Sequence, residues 1–437
     1  MGHLIGKDLF RKLGRKIDGM EMRAPWNDQL HALLKELYCE EEADVVVKMP
    51  YVLSNLAEIE KISGYEKTTL RRILDGLTAK GLVIDVWIDN DYYYMPDPMM
   101  VGIFEFTMMR LGPNATPKKW ARLFHEYLDE DDSFRAANFG HNEQISIMRA
   151  LPHEEAIQTS EYFEVLDYEK ASALIAEANR FSIGLCSCRH EKLHIGEKSC
   201  EVPLETCSQF GQAADFMIRH NLAREVSRGE MEDNFTQSKE MGLVFCADNI
   251  QKNVRFVCHC CKCCCKPLLG ISKFGYPNCI VTSNYIAVTD TDVCAGCGKC
   301  SQACPIGAMG MLATEEPGGT RKQKASVNTS ICIGCGVCAL KCPTKACKLE
   351  KRASRVIHPE TTFERIILSS LEKGTLQNQI FANPQSINDK FMRAFVGAFL
   401  RLSPVKKALM SDKLRSRFLE TMKQGVAKQG KAWMVNI

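Results

Sequence analysis

Cys294, Cys297, Cys300 and Cys304, followed at once by Pro305, form a C-x2-C-x2-C-x3-C-P run. The same run returns as Cys332, Cys335, Cys338, Cys342 and Pro343. Three cysteines two residues apart, on loops that carry Gly296 and Gly298 or Gly334 and Gly336, suit three corners of a metal–sulfide cube. The small residues let backbone N–H groups turn toward the sulfides. The proline after each fourth cysteine turns the chain away. Zinc sites use two pairs of ligands, not a triplet plus one, twice over, so a zinc reading fails here.

The tandem run is the bacterial [4Fe–4S] ligation pattern, and residues 286–350 resemble the bacterial-type dicluster ferredoxins. The resemblance implies a small α+β domain with two [4Fe–4S] clusters whose ligand sets cross. The first takes Cys294, Cys297, Cys300 and Cys342; the second takes Cys332, Cys335, Cys338 and Cys304. Potentials near roughly −400 mV are expected for low-potential ferredoxins.

The chain of 437 residues contains 22 cysteines, of which 21 fall between Cys186 and Cys347; Cys39 alone stands apart. A secreted disulfide scaffold would be short and would begin with an apolar leader, whereas this chain begins MGHLIGKDLFRKLGRKIDG. Reduced metal ligands in a cytoplasm, in an anaerobe, are the expectation. No stretch approaches the length of a membrane span. Residues 351–437 carry 16 Lys and Arg against 6 Asp and Glu, a net +10, which leaves −7 on residues 1–350. That asymmetry suits a basic tail with an acidic partner surface, a membrane face or nucleic acid opposite it.

The length suits two to four domains, and five segments are legible in chain order. Residues 1–110 begin with a basic amphipathic helix (Ile5, Leu9, Leu13, Ile17), read as packing on protein in preference to a membrane. Then come a helix Leu56–Ser63 closed by Gly64, a second helix from Lys67 to Lys80, and a hairpin with Asp89-Asn90-Asp91 at its tip. Helix, helix and hairpin make a winged-helix-like module. A DNA reader needs a basic helix and wing, yet Glu66, Asp75, Asp89 and Asp91 sit among Lys67, Arg71, Arg72 and Lys80, so nucleic acid is not the expected partner. Residues 111–180 read as a helical spacer, 181–285 as a cysteine-rich redox domain, 286–350 as the dicluster domain and 351–437 as a basic helical tail. The whole is α+β, multidomain and mainly helical.

Between residues 181 and 285, Cys186, Cys188, Cys200 and Cys207 offer four ligands for an additional iron–sulfur cluster or a zinc. Six thiols in the eight residues Cys258–Cys265 cannot be explained by packing. Adjacent residues of an extended segment face opposite ways, so these six cannot all bind one ion. With Cys186-x-Cys188-Arg189, the C-x-C-C-x-C-C core resembles a group of ferredoxin-like proteins of anaerobic bacteria. The 27 residues between Cys304 and Cys332, with Glu315, Glu316, Arg321, Lys322 and Lys324, read as a solvated loop or a docking loop; Cys347 reads as a spare thiol.

The expected function is that of an iron–sulfur electron-transfer protein or subunit serving redox partner proteins. Its tail (Lys406, Lys407, Lys413, Arg415, Arg417) would dock on a partner subunit or a membrane surface. No G-x-G-x-x-G follows a strand, so any hydride chemistry belongs to a partner. Two alternatives stay open: a redox-responsive winged-helix regulator, and a catalytic reductase using the Cys258–Cys265 segment.

Overall fold

The computed structural model describes residues 2–112, 115–140, 144–158, 166–313 and 323–436, with side chains from residue 9 onward. The fold is α+β. At the N-terminus, Phe10, Leu13 and Ile17 of the helix Gly2–Asp18 are buried at 4 % exposure or less. Strand β1 (Ser54–Asn55) leads into the helix Leu56–Ser63. Asn55 accepts from the Glu58 N–H while the Glu58 carboxylate accepts from the Asn55 N–H, which satisfies two donors that a helix start leaves free. After the helix Lys67–Ala79, strands β2 (Val83–Ile88) and β3 (Asp91–Pro96) form the expected hairpin, and β1 adds to β3. Asp89 and Asn90 both take positive φ (48° and 66°) at its tip, as a two-residue hairpin turn requires.

Residues 148–260 build an antiparallel sheet of six strands, which the sequence does not announce. In chain order these are β4 (Met148–Leu151), β5 (Phe181–Leu185), β6 (Glu205–Phe210), β7 (Ala223–Val226), β8 (Val244–Asp248) and β9 (Phe256–Cys260); in space the order is β4-β8-β9-β6-β5-β7. The spacer is therefore not wholly helical, since its Met148–Leu151 segment is an edge strand of this sheet. One sheet face packs Phe181, Ile183, Phe210, Phe245 and Val257 into an apolar core under the helix Arg228–Glu240, where Met231 and Phe235 complete it. The opposite face, with period-2 logic, is left for cysteines.

Strands β10 (Tyr285–Thr289) and β13 (Cys347–Lys351) pair antiparallel from Tyr285↔Lys351 to Thr289↔Cys347. The long segment between Cys304 and Cys332 is not simply a loop. Strands β11 (Met309–Ala313) and β12 (Gln323–Val327) pair as a hairpin, with Lys324 opposite Leu312. Glu315, Glu316, Arg321 and Lys322 lie outside the described residues.

The C-terminal segment is helical, but its first helix is not a surface tail. Thr362–Lys373 is buried on nearly every side, and its Arg365 pairs with Glu21 and reaches Asp248 Oδ1 at 3.3 Å. A buried guanidinium needs such partners, and here they tie the N-terminus, the sheet and the C-terminus together. The free surface lies further on, along the helix Ile387–Leu400, where Ile387, Phe391, Phe395 and Phe399 are 55–82 % exposed.

Candidate metal centres

The two C-x2-C-x2-C-x3-C-P runs fold as near copies. Gly298 (φ 73°) and Gly336 (φ 84°) cap the short helices Lys299–Ala303 and Val337–Leu340, which carry Cys300 and Cys338. Gly296 and Gly334 also take positive φ, and a Cβ on them would meet the Gln323 oxygen at 2.4 Å or the Tyr285 oxygen at 2.2 Å. Each ligand loop is thus pressed flat against a strand, which only glycine permits.

A cavity of about 20 Å³ is lined by Cys304 together with Cys332, Cys335 and Cys338. The fourth cysteine of the first run thus stands with the triplet of the second. Cys342 lies beside Cys300 of the first run. Cys347 is not remote from this chemistry: its N–H donates to Cys342 Sγ at 3.4 Å, and its thiol interacts with Cys300. Burial pushes Cys335 up to about 12. Burial acts the same way on Cys342, but the Cys347 N–H and the Thr344 hydroxyl outweigh it and hold that thiol below its ordinary value. Four thiols around one small cavity, on a loop whose Gly334 and Gly336 leave no room for a side chain, fit a sulfide-bridged iron cluster.

A second constellation lies on the large sheet. Cys246 on β8 stands directly opposite Cys258 on β9, and the Ser208↔Val257 pairing brings Cys207 alongside Cys258 from β6. Cys260, two residues on, shares this face and interacts with Cys246, Cys258 and Cys265. Cys188, at the start of the helix Ser187–His194, contacts Cys265, and Cys186 lies near Cys188 and Cys207. Cys186, Cys188, Cys207, Cys258, Cys260, Cys261 and Cys265 line one cavity of about 170 Å³. Burial pushes Cys186 up to about 12 and raises Cys265 strongly. At Cys207 the hydrogen bond to Cys258 raises the thiol first and burial second. Packed thiols of this kind stay protonated unless a bound cation compensates their charge. His259, between Cys258 and Cys260, points to the other side. There Ser208 Oγ lies 2.9 Å from its Nε2, and burial followed by the Arg189 charge holds it neutral, down to about 3.

Of the four upstream ligands expected from sequence, Cys186, Cys188 and Cys207 come together in this cavity and Cys200 does not. Cys200 belongs to a third group with Cys261, Cys263 and Cys264, whose sulfurs all lie within 4.8 Å of one another. The sequence reading also missed Cys246, Cys258, Cys260 and Cys265 as one face. The signal was present in the C-x-C spacing of Cys258 and Cys260, which a strand turns to the same side. Arg189 is fully buried between the two groups, donating to the carbonyls of Pro203 and His259 and to Thr206 Oγ1. The neighbouring cluster of His125, Asp129 and Glu191 is of another kind, because Lys192, Lys266 and Arg135 already occupy its carboxylates.

Residues 293–346 match the family model of the 4Fe-4S dicluster domain. No curated protein and no solved structure matches the chain. This segment is therefore a dicluster ferredoxin-type domain that binds [4Fe–4S], and the clustered cysteines give the chain an iron–sulfur electron-transfer role.

Proposed function

We propose that the chain is an electron-transfer protein or subunit. It would hold two [4Fe–4S] clusters in residues 286–350 and a further iron–sulfur centre on the cysteine face of the large sheet. The crossed ligand sets, Cys294, Cys297, Cys300 with Cys342 and Cys332, Cys335, Cys338 with Cys304, are favoured by the cavity that Cys304 shares with the second triplet. Bound clusters of this type supply one-electron redox chemistry. The observation that carries the reading is the contact between the two constellations. The His153 N–H donates to the Cys335 carbonyl at 3.0 Å, and Cys335 lies within electrostatic reach of Cys246. The second ligand loop is thus hydrogen-bonded to the segment after β4, with Cys335 within electrostatic reach of the sheet's cysteine face, and buried apolar side chains surround it.

Residues 54–96 fit a winged-helix module used for internal docking. Arg72 and Lys80, which a DNA reader would present, are paired with Glu41 (2.8 Å) and Glu42 (2.7 Å). Tyr93 packs on Trp433 with ring centroids 4.6 Å apart, and Asp85 holds Arg219 at 2.8 Å. These contacts argue against the regulator. No helix among the described residues is long and apolar enough to cross a membrane. A redox partner is proposed to dock on the exposed stripe Ile387, Phe391, Phe395 and Phe399, with Lys390 on the same helix. Iron and acid-labile sulfide counted on the anaerobically purified chain test the reading: clearly more than about eight irons is expected, and eight or fewer removes the sheet-face centre.

A further inference from the structure

We infer that Cys200, Cys261, Cys263 and Cys264 hold a single tetrahedral metal ion, chemically distinct from the iron–sulfur centres. The site does not depend on the reading of the dicluster domain.

The sulfur spacing sets the nuclearity. Cys261 Sγ lies 3.8 Å from Cys200 Sγ and 3.8 Å from Cys263 Sγ, and Cys263 Sγ lies 3.5 Å from Cys264 Sγ. Four thiolates at about 2.3 Å from one ion stand about 3.8 Å apart along the edges of the tetrahedron. In a cubane each thiolate binds a different corner iron from outside the cube, so its four sulfurs must stand farther apart. Disulfide bonding requires about 2 Å, which none of these pairs approaches.

The donor set agrees with the geometry. Four cysteines without histidine or carboxylate select a soft ion, zinc or ferrous iron, and a complete tetrahedron leaves no open position for substrate. Cys264 is fully buried and Cys261 is 7 % exposed, under Val202 and Leu243. A divalent ion with four thiolates carries two negative charges. The buried Arg189 interacts with Cys261, and Lys198 donates to the Cys200 carbonyl, so positive charge is already in place.

The placement also explains the six thiols in eight residues. Cys258, Cys260 and Cys265 line the cavity and Cys261 stands at its wall, while the turn between Cys260 and Cys265 gathers the sulfurs of Cys261, Cys263 and Cys264 with that of Cys200. An ion pinning that turn to Cys200, 61 residues upstream, fixes where Cys260 and Cys265 stand. The ion is a structural staple for the cavity's own ligands.

The test uses the full-length chain purified anaerobically, with zinc, iron and sulfide counted. One zinc per chain, or one iron in excess of sulfide, is expected. Cys263→Ser should lose that one ion and keep the sulfide count, while Cys297→Ser should keep the ion. Cobalt(II) grown into the unsubstituted chain should give the intense visible bands of a tetrahedral tetrathiolate, a readout that survives if the variants misfold. Loss of about four irons together with sulfide from Cys263→Ser would make the site a cubane and overturn the inference. Absence of both the surplus ion and the cobalt bands would leave free thiols and overturn it equally.

Discussion

Lys266, the residue after Cys265, is fully withdrawn from water and places its ammonium 3.0 Å from Asp129 Oδ2 and 3.1 Å from Glu191 Oε1. Asp129 also takes Lys192 at 3.0 Å and Arg135 at 2.6 Å. One carboxylate on the helical spacer therefore bridges three cations, one of them beside the cysteine segment, with Glu191 and Glu197 sharing the charge balance. Asp129→Asn leaves Arg135 buried without its carboxylate and Lys266 and Lys192 with Glu191 and Glu197 alone. A loss of about 3–5 kcal/mol is expected for breaking a buried pair, read by thermal or denaturant unfolding under anaerobic conditions.

The same network sets a pH dependence. His125 is raised to about 9, first by its hydrogen bond to Asp129 (3.1 Å) and then by Glu191. The folded value lies above the unfolded value of about 6.5, so the imidazolium's contribution is fully present below that pH. It is lost as pH rises through about 9. His125→Gln should be less stable than the parent at pH 6, and the gap should narrow by pH 10; a gap that is constant over this range would show that the charge contributes nothing.

Cys342→Ala should damage the centre begun at Cys294, Cys297 and Cys300 and spare the one lined by Cys304, Cys332, Cys335 and Cys338. Low-temperature EPR of the dithionite-reduced chain should then retain one of two interacting signals. Loss of only the second centre would reverse the ligand assignment.

Gly334→Ala should abolish the centre beside it without unfolding the chain. The added Cβ would meet the Tyr285 oxygen at 2.2 Å and must adopt a φ of 68°. Displacing the loop moves Cys335 and Cys332 together. Iron content should fall by about four per chain, while Gly310→Ala, which meets only the Ser326 oxygen at 4.0 Å, should change nothing.

Phe395→Glu should weaken capture of a redox partner, since Phe395 is 67 % exposed on a stripe that none of the described residues covers. Lys407→Glu should weaken it in a salt-dependent manner, because exposed charges are screened over about 10 Å at 0.1 M. Lys406 should contribute less, as its ammonium is held by the Glu372 carbonyl at 2.5 Å. Binding to anionic vesicles with no effect of a partner protein would assign the stripe to a membrane surface instead.

The tandem cysteine runs, the helix–helix–hairpin unit at Leu56–Pro96 and the glycines at each ligand loop were legible from sequence alone. Their signals are local: ligand spacing, helix-ending glycines and turn residues at a hairpin tip all act within about ten residues. Which thiols share a site was not legible upstream of residue 286. Cys200 meets Cys261 and Cys246 meets Cys258 only because the sheet's strand order and register bring them together, and register is a long-range property. The burial of Thr362–Lys373 was hidden for a similar reason, since its charge pattern reads as a surface tail until Arg365 finds Glu21 and Asp248. Spacing along the chain determined the chemistry of the dicluster segment; strand pairing decided which of the thiols on and around the large sheet stand together.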